Sequence, residues 1–370
     1  NNNRLCYLIN QFLKGVPQTP IFSNSGNPII LTSRKRDFVK PIPEGICPYK
    51  GLRYFDFIQE DAQYFYGRNS LIDDLIKGIE NHNFLAVLGA SGSGKSSVVR
   101  AGLLYQLKQG QNLSSSEQWQ IYSPFTPTEK DRTPLQNLAR IFVDSQLSEI
   151  DQAQQIIKAQ DLIDKGVEGL KLLIDSAINK FKCPRVVLVV DQFEELFTIC
   201  SETDRELFLE CLLGTIKESK EKLCLIIVMR GDFLNKCAEK NYYGLAKLIA
   251  KNQIIVTPMT ETEIEEAIVK PAKQVGLEVE SGLIQQIIDD VKESPGSLPL
   301  LQYTLTQLWE YKEFNLLTLY QYQDLGGIKG TLETQANLIY SKLTSQEQQI
   351  AQRIFLDLTQ LGEGTQDTRR

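Results

Sequence analysis

A glycine-rich loop early in the chain has the residue types and spacing that can hold a polyanion. Residues 89–96 read GASGSGKS and match the pattern GxxxxGK[ST] in full. Glycines at these positions let backbone N–H groups approach phosphates closely, because no side chain stands in the way. We expect Lys95 to reach the outer phosphates and the Ser96 hydroxyl to ligate Mg²⁺. The other loop residues that we assign to nucleotide binding are Gly89, Ser91, Gly92, Ser93, Gly94 and Ser97.

The residues on either side of this loop predict the elements that must position it. The apolar run 84–88 has the length of a strand and leads directly into the loop. After the loop, Val99, Leu103 and Leu107 share one face of a helix that begins at Lys95. The N-terminus of such a helix directs the positive end of its dipole toward a bound anion. A strand, a phosphate-binding loop and a helix therefore follow one another.

Acidic residues follow a second apolar run and provide candidates for the other half of the site. Residues 186–190 form a β-branched run that ends at Asp191, and ligands of open α/β sheets bind at such strand ends. We expect Asp191 to hold Mg²⁺ opposite Ser96, although an aspartate can also simply terminate a strand. Of the next two acids, we expect Glu194 rather than Glu195 to orient or deprotonate the attacking water. The alternative is that both glutamates stabilise the N-terminus of a helix.

An arginine follows a third apolar run and is a candidate for sensing the terminal phosphate. Arg230 comes directly after the run 223–229, at the expected tip of a strand beside the loop. The alternative is an ordinary surface arginine, and Asp232 is a nearby partner for it. The residues that we assign to catalysis are Lys95, Asp191, Glu194 and Arg230.

The order of apolar runs predicts an α/β core followed by an all-helical part. The expected strands are 84–88, 121–122, 186–190, 223–229 and 254–256, separated by helical patterns at 70–79, 95–107, 134–145, 170–180 and 205–219. Strands that alternate with helices are typical of a parallel sheet with helices on both faces. After about residue 257 only helical patterns remain, at 261–275, 281–293, 298–311, 330–343 and 345–361.

Composition excludes several other kinds of protein. The chain has 370 residues, a net charge of −6 and 42% hydrophobic residues, which together predict two or three ordinary globular domains and disfavour bare nucleic acid as the main partner. No run approaches the ~18 apolar residues of a membrane span. Seven cysteines without a CxxC pair disfavour zinc and disulfides, so we expect a reducing, cytoplasmic location. With His82 as its single histidine, the chain is poorly suited to histidine-based catalysis.

Four motifs in this order resemble a known family. They are FYGR at 65–68, the loop at 89–96, VDQFEELF at 190–197 and MRGDF at 229–233. They resemble the STAND ATPases (signal-transduction ATPases with numerous domains), and more closely the novel STAND group that is often joined to WD-repeat propellers. The stretches CPYKGL at 47–52, GSLPLL at 296–301 and GEGTQDTRR at 362–370 extend the resemblance over about residues 46–370.

The resemblance implies further site residues and a slow reaction. In such proteins the FYGR segment lies against adenine, which implies that Tyr66, Gly67 and Arg68 bind the nucleotide. A Gly-x-Pro turn in the helical lid also borders the nucleotide, and it corresponds here to Pro299 in a turn that is one residue longer. Gln192 stands where the wider class often has a second acid, which favours slow hydrolysis.

The resemblance also implies a domain order. Residues 1–45 are expected to be the end of an upstream effector domain with a linker, including a strand at 29–32, and they resemble the end of a caspase-like domain. The P-loop NTPase core is expected at 46–258, the helical lid at 259–311 and a truncated winged-helix domain at 312–370. The missing initiator methionine and the abrupt charged end predict a fragment of a larger protein.

These features together predict an ATP/ADP-binding, magnesium-dependent signalling switch. ADP is expected to keep the domains closed. Exchange for ATP, triggered through downstream sensor repeats, is expected to allow homo-oligomerisation and to activate the upstream effector in bacterial defence or cell-death signalling. One alternative is a turnover ATPase of a motor or transport type, although no ABC-type signature precedes Asp191. The other is a nucleotide-regulated transcription regulator, which the acidic balance disfavours.

Overall fold

The computed structural model describes residues 45–129, 132–292, 296, 298–312 and 314–357, and the backbone of 359–360 and 368–369. The chain divides into two compact units. The first is Pro43–Lys329, and the described part of the second begins at Gly330. The predicted strand at 29–32 lies outside the described residues. None of the helices within the described ranges combines the length and apolar composition that a membrane crossing requires.

A five-stranded parallel sheet forms the centre of the first unit. Its strands are β1 (Phe84–Gly89), β2 (Gln120–Ile121), β3 (Val186–Val190), β4 (Leu223–Arg230) and β5 (Gln253–Val256), in the spatial order β2-β3-β4-β1-β5. All four pairings are parallel, and Gly89 lies opposite Arg230 in the register of β1 and β4. The carboxyl ends of the strands therefore meet at one edge. The predicted strands agree with the observed ones to within one residue at each end.

Helices cover both faces of this sheet. They are α1 (Gln59–Ala62), α2 (Asn69–Asn81), α3 (95–108), α4 (Pro134–Arg140), α5 (Glu149–Ile163), α6 (Val167–Phe181), α7 (Glu195–Thr198), α8 (Glu202–Ser219) and α9 (Leu245–Lys251). The middle of α3, Val98–Leu104, is π-helical. Several of these helices differ from the sequence prediction, which did not include α1, α7 or α9. The helix expected at 134–145 ends at Arg140, and α5 was missed because Ala159 and Ile163 are its only buried residues, too few to give a clear apolar stripe.

Alternation along the strands explains why both faces are apolar. Successive side chains of a strand point to opposite faces of the sheet. Phe84, Ala86 and Leu88 of β1 therefore pack with α4, α5, α6, α8 and α9, while Leu85 and Val87 pack with α2 and α3. The three central strands β1, β3 and β4 are buried on both sides. Together with the helices on both faces, this confirms the predicted α/β core.

A mostly helical region completes the first unit. It contains α10 (Glu261–Gln274), α11 (Ser281–Lys292), α12 (Leu298–Glu310) and α13 (Leu319–Asp324), and we call residues 259–325 the helical region. Its core includes Ile264, Leu283 and Leu305, and it also receives Tyr49 from the segment before the sheet. A short parallel pair, β6 (Glu278–Val279) and β7 (Leu316–Leu317), lies within it. The sequence pattern does not indicate this pair, because two residues are too few to show a strand period.

The second unit is described through two helices and one short strand pair. The helices are α14 (Gly327–Lys342) and α15 (Ser345–Asp357). The Nε2 of Gln348 donates to the backbone oxygen of Tyr340 at 2.9 Å and joins the two helices. Strands β8 (Thr359–Gln360) and β9 (Thr368–Arg369) pair antiparallel. The winged-helix domain expected at 312–370 stays a prediction.

Candidate functional site

The glycine-rich loop connects β1 to α3, as its sequence predicts. We call residues 89–96 the phosphate loop. Gly94 caps the helix that begins at Lys95, and the backbone N–H of Val98 donates to its carbonyl at 2.9 Å. Gly92 has φ 72°, which favours glycine, and a Cβ built there would overlap the carbonyl oxygen of Gly296 in the helical region. A side chain at this position would therefore both strain the loop and displace Gly296.

Among the described residues, neither the lysine of the phosphate loop nor Ser93 forms a hydrogen bond through its side chain to another side chain. The Lys95 Nζ donates to the carbonyl of Ala90 at 2.8 Å, within the same loop. Burial lowers the pKa of Lys95, while the nearby carboxylates of Glu194 and Asp191 act in the opposite direction. The hydroxyl of Ser93 is buried and has no hydrogen-bond partner among the described residues. An unpaired buried hydroxyl on this loop is the kind of group that a bound phosphate would satisfy.

The two predicted magnesium ligands meet at the carboxyl edge of the sheet. Ser96 lies in the first turn of α3 and Asp191 directly after β3, and the Ser96 Oγ donates to the Asp191 Oδ1 at 2.9 Å. Asp191 is buried, and its Oδ1 also accepts the backbone N–H of Gln192 at 3.0 Å. A hydroxyl and a carboxylate are the hard oxygen donors that Mg²⁺ prefers, so these residues fit the ion. No cluster of three or more His, Cys, Asp or Glu within the described ranges could hold a metal, and Mg²⁺ at phosphate sites needs only one or two carboxylates.

The two glutamates after Asp191 have different roles in the structure. Glu195 is occupied, because its Oε2 accepts the backbone N–H and the hydroxyl of Thr128 at 3.1 and 2.6 Å. Glu194 Oε2 accepts the backbone N–H of Arg230 at 3.2 Å. Burial raises the pKa of the Glu194 carboxyl, and the charge of Lys95 opposes that shift. Glu194 therefore lies in the electrostatic field of the phosphate loop, whereas Glu195 holds a neighbouring segment.

The arginine at the end of β4 is paired with an aspartate. Its Nη2 and Nε donate to the Oδ2 and Oδ1 of Asp232 at 2.6 and 3.1 Å, and the guanidinium stacks on Phe233. The hydrogen bonds from Arg230 lower the pKa of Asp232. In the register of the sheet, Arg230 lies opposite Gly89 at the start of the phosphate loop. Both sequence interpretations thus describe part of the arrangement: the arginine lies beside the loop, and Asp232 is its partner.

A cavity of about 260 Å³ lies beside the phosphate loop. Its lining comes from three segments, one before the sheet, one in the loop and one in the helical region. The lining residues are Gly51–Phe55, Tyr64–Tyr66, Arg68, Gly92–Ser97, Met259, Ala267, Leu298, Pro299, Leu301 and Gln302. The cavity thus brings Tyr66, Arg68 and Pro299 together with the loop. Gly67, Gly89 and Ser91 do not line it.

The residues of the FYGR motif join the phosphate loop to helix α10. Arg68 is buried, and its Nη2 donates to the Ser93 carbonyl at 3.3 Å while its Nη1 lies 3.7 Å from the Oε2 of Glu263. Burial lowers the pKa of Arg68, and Glu263 opposes that shift. Gly67 has φ 83°, and a Cβ there would overlap the carbonyl oxygen of Glu263. Glycine is required here for close packing against the helical region.

Sequence reasoning missed several contributors to this site, among them Tyr54 and Arg100. Tyr54 lines the cavity, although the composition of its segment carries no nucleotide-binding pattern. Arg100 lies on α3, is 6% exposed and contacts the carboxylate of Asp191. A charged residue in the otherwise apolar helical stretch after the loop was the one available signal, because an arginine rarely becomes buried without a partner.

Comparison with known proteins gives a family match and a number of weak structural likenesses. The family model described as Novel STAND NTPase 1 matches residues 48–370. No curated protein matches the chain in sequence.

Three of the similar solved structures show how widely they differ from this chain. A Walker-type ATPase of Pyrococcus abyssi is 14% identical, with a TM-score of 0.47 and 84% of each chain covered. The ORC2 protein of Aeropyrum pernix, solved in ADPNP–ADP complexes, is 14% identical with a TM-score of 0.48, covering 70% of this chain and 64% of that one. Drosophila ORC bound to DNA is 10% identical with a TM-score of 0.35, covering 78% and 45%. All three TM-scores lie below 0.5.

Proposed function

Because the chain belongs to the novel STAND NTPase 1 family, we propose that it is an ATP- and ADP-binding signalling switch that hydrolyses ATP slowly. The observation that carries this proposal is the meeting of Ser96 and Asp191, 2.9 Å apart, beside the phosphate loop. A hydroxyl on the first turn after the loop and a carboxylate at a strand end are the two protein ligands that a nucleotide-bound Mg²⁺ requires. Structural elements that are far apart in sequence had to fold together to bring them this close.

The proposed binding mode uses the loop for phosphates and the cavity for the base. Backbone N–H groups around Gly92 and Gly94, with Lys95, would hold the phosphates at the N-terminus of α3. The adenine and ribose would occupy the cavity that Tyr66, Arg68 and Pro299 line. Bound magnesium would supply positive charge to the outer phosphates.

The arrangement of the remaining polar groups supports a slow reaction. Glu194 is our candidate for orienting water, and the N–H of Arg230 holds its carboxylate. Arg230 itself is bound to Asp232, so it must leave that partner before it can reach a γ-phosphate. Gln192 supplies no second carboxylate beside Asp191. Each of these features favours a site that retains nucleotide over one that turns it over rapidly.

The switch would act through the helical region. The turn at Gly296 approaches Gly92 so closely that a single added carbon would overlap it, and Leu298 and Pro299 line the cavity. A nucleotide would therefore contact the sheet and the helical region together, which lets one phosphate bias their arrangement.

We propose the boundaries 46–258 for the core, 259–311 for the lid and 312–370 for a winged-helix domain. The proposal also includes an effector domain upstream and sensor repeats downstream. We propose that the protein forms homo-oligomers when ATP binds.

Analysis of the nucleotide that copurifies with the protein tests this function. We expect purified protein to retain ADP, and Lys95→Ala to lose it while staying folded, since the loop lysine neutralises the phosphates. Lys222→Ala is the matched control, because Lys222 pairs with Asp175 on the surface at 2.8 Å. An empty wild-type site with steady turnover above about 1 per second would instead favour a turnover ATPase. Nucleotide retained by Lys95→Ala would contradict the site assignment.

A further inference from the structure

A short segment before the sheet contacts both the helical region and the phosphate-loop helix. We call residues 49–57 the strap. At its first end, Tyr49 is buried in the core of the helical region, and its hydroxyl donates to the carbonyl of Ile268 at 2.8 Å. The backbone N–H of Lys50 donates to the Oε1 of Gln302 on α12 at 3.2 Å. This end of the strap is therefore bound to two helices of the helical region.

The other end of the strap is bound to α3. The backbone N–H of Phe55 donates to the Ser97 hydroxyl at 3.2 Å, one residue beyond the proposed magnesium ligand. The Oδ1 of Asp56 accepts from the Nη1 of Arg100 at 3.2 Å. The buried carboxylate of Asp61 ties the two ends together, because it accepts from the Nζ of Lys50 at 2.6 Å and from the backbone N–H of Asp56 at 2.9 Å. The two ends of the strap are thus joined through one buried carboxylate.

Arg100 extends this connection to the metal-binding carboxylate. Its Nε lies 3.5 Å from the Oδ2 of Asp191, and its Nη2 donates to the carbonyl of Pro124 at 3.3 Å. The guanidinium carbon lies 4.3 Å from the centroid of the Tyr54 ring, which belongs to the strap. The planar fork of an arginine can serve several partners at fixed angles, which a lysine ammonium cannot do.

The two oxygens of Asp191 are divided between different partners. Oδ1 accepts from Ser96 and from the N–H of Gln192, and Oδ2 faces Arg100. The guanidinium therefore fixes the rotation of the carboxylate and leaves Oδ1 on the side of Ser96. Without it, a buried carboxylate would lose its charged partner and its defined orientation.

We propose that Arg100 is a positioning residue for Asp191, and that Asp56 couples this carboxylate through Arg100 to the strap and the helical region. The inference rests on the proposed function, because it concerns magnesium held by Ser96 and Asp191. If this inference holds, the affinity for magnesium, and not only the affinity for nucleotide, depends on the position of the helical region. Partners that orient a ligating carboxylate typically change metal affinity by about 10–100-fold when they are removed.

A magnesium titration with a fluorescent ADP analogue tests this inference. The variants are Arg100→Gln, Arg100→Lys, Asp56→Asn and the double variant Arg100→Gln/Asp56→Asn. Arg185→Gln is the matched control, because Arg185 also stacks on an aromatic ring (Trp119, 4.8 Å) and donates to carbonyls, those of Ile79 and His82, away from the site. Analogue affinity is measured first in EDTA, and then the Mg²⁺ concentration that gives half of the magnesium-dependent change is determined.

We expect the EDTA affinity of every variant to change by a smaller factor than its half-maximal Mg²⁺ concentration, because neither Arg100 nor Asp56 lines the cavity. The half-maximal Mg²⁺ concentration should rise on the order of 10-fold or more in Arg100→Gln, and by a smaller factor in Arg100→Lys and in Asp56→Asn. The double variant should resemble Arg100→Gln, because Asp56 acts through Arg100. Arg185→Gln should titrate like the wild type.

Several results would overturn the inference. If the Arg100→Gln variant titrates with Mg²⁺ like the wild type, or binds Mg²⁺ more tightly, Arg100 does not position Asp191. If the two substitutions of the double variant raise the half-maximal Mg²⁺ concentration by independent factors, Asp56 does not act through Arg100. If Arg100→Gln loses cooperative thermal unfolding, Arg100→Lys and Asp56→Asn decide the question. A wild-type protein that binds no analogue would overturn the proposed function as well, whereas normal binding with unchanged magnesium titrations overturns this inference alone.

Discussion

Two arginine–aspartate pairs border the site, and the longer contact is the more buried one. Arg100 and Asp191 lie 3.5 Å apart with side chains 8% and 6% exposed. Arg230 and Asp232 lie 2.6 Å apart but are 42% and 59% exposed. Water screens the exposed pair, so it contributes only about 0–1 kcal/mol, and Arg230 can leave it at little cost. Removing one partner of a buried pair leaves an uncompensated charge and costs about 3–5 kcal/mol.

This difference suits the two arginines to different tasks. Arg100 is held by two carboxylates and a carbonyl, so it can keep Asp191 in one orientation but cannot move toward a ligand. Arg230 pairs with one carboxylate, the exposed Asp232, and stands at the end of β4. Burial, rather than the length of a single contact, therefore separates a positioning residue from a mobile one at this site.

The largest expected effect comes from a substitution that breaks the buried pair of Arg100 and Asp191. Arg100→Ala should lower the free energy of unfolding by about 3–5 kcal/mol, because Asp56 and Asp191 lose their common partner. Arg230→Ala is the matched variant at the exposed pair and should change it by only about 0–1 kcal/mol. Denaturant unfolding of both variants measures the difference. Equal losses would show that burial does not distinguish the two pairs.

A second prediction extends the comparison from charge to packing. Gly67→Ala should destabilise the protein by about 1–3 kcal/mol and weaken nucleotide retention, because φ 83° is strained for alanine and its Cβ would overlap the Glu263 carbonyl. Gly276→Ala is the control, since Gly276 has φ 71° but no atom within 4 Å of an added Cβ. It should show the smaller loss, from strain alone. Thermal unfolding and retained ADP are the measurements, and equal losses from both variants would argue against the close packing of Gly67.

The smallest expected effect is a pH dependence at the exposed pair. The hydrogen bonds from Arg230 hold the pKa of Asp232 below its ordinary value of 3.8 in the folded chain. A depressed folded-state pKa gives stability that is present above the ordinary value and is lost as the pH falls through the folded-state pKa. Asp232→Asn should therefore reduce stability slightly at pH 6, by less than about 1 kcal/mol, and the deficit should vanish at acid pH. A deficit that persists below pH 2 would contradict this origin.

Much of the fold, and the phosphate loop with the residues at the strand ends, could be predicted because each depends on a short stretch of consecutive residues. Residues 89–96 carry their chemistry within eight consecutive positions, and Asp191 and Arg230 end runs that are apolar on every residue. Such runs predict doubly buried strands, and parallel strands bring their carboxyl ends together. The two-residue strands of β6 and β7 and the weakly striped α5 lie below what such patterns resolve.

The sequence by itself determined the chemistry of the phosphate loop, the alternation of strands and helices, and the carboxylate that faces Ser96. Only the tertiary structure decided which buried charges support them. Arg100 meets Asp191 across 91 residues, and Arg68 lies against Glu263 of the helical region. Glu195 turns to Thr128, which leaves Glu194 to the loop. No local pattern specifies such contacts, because each depends on the burial that results when separate segments pack together.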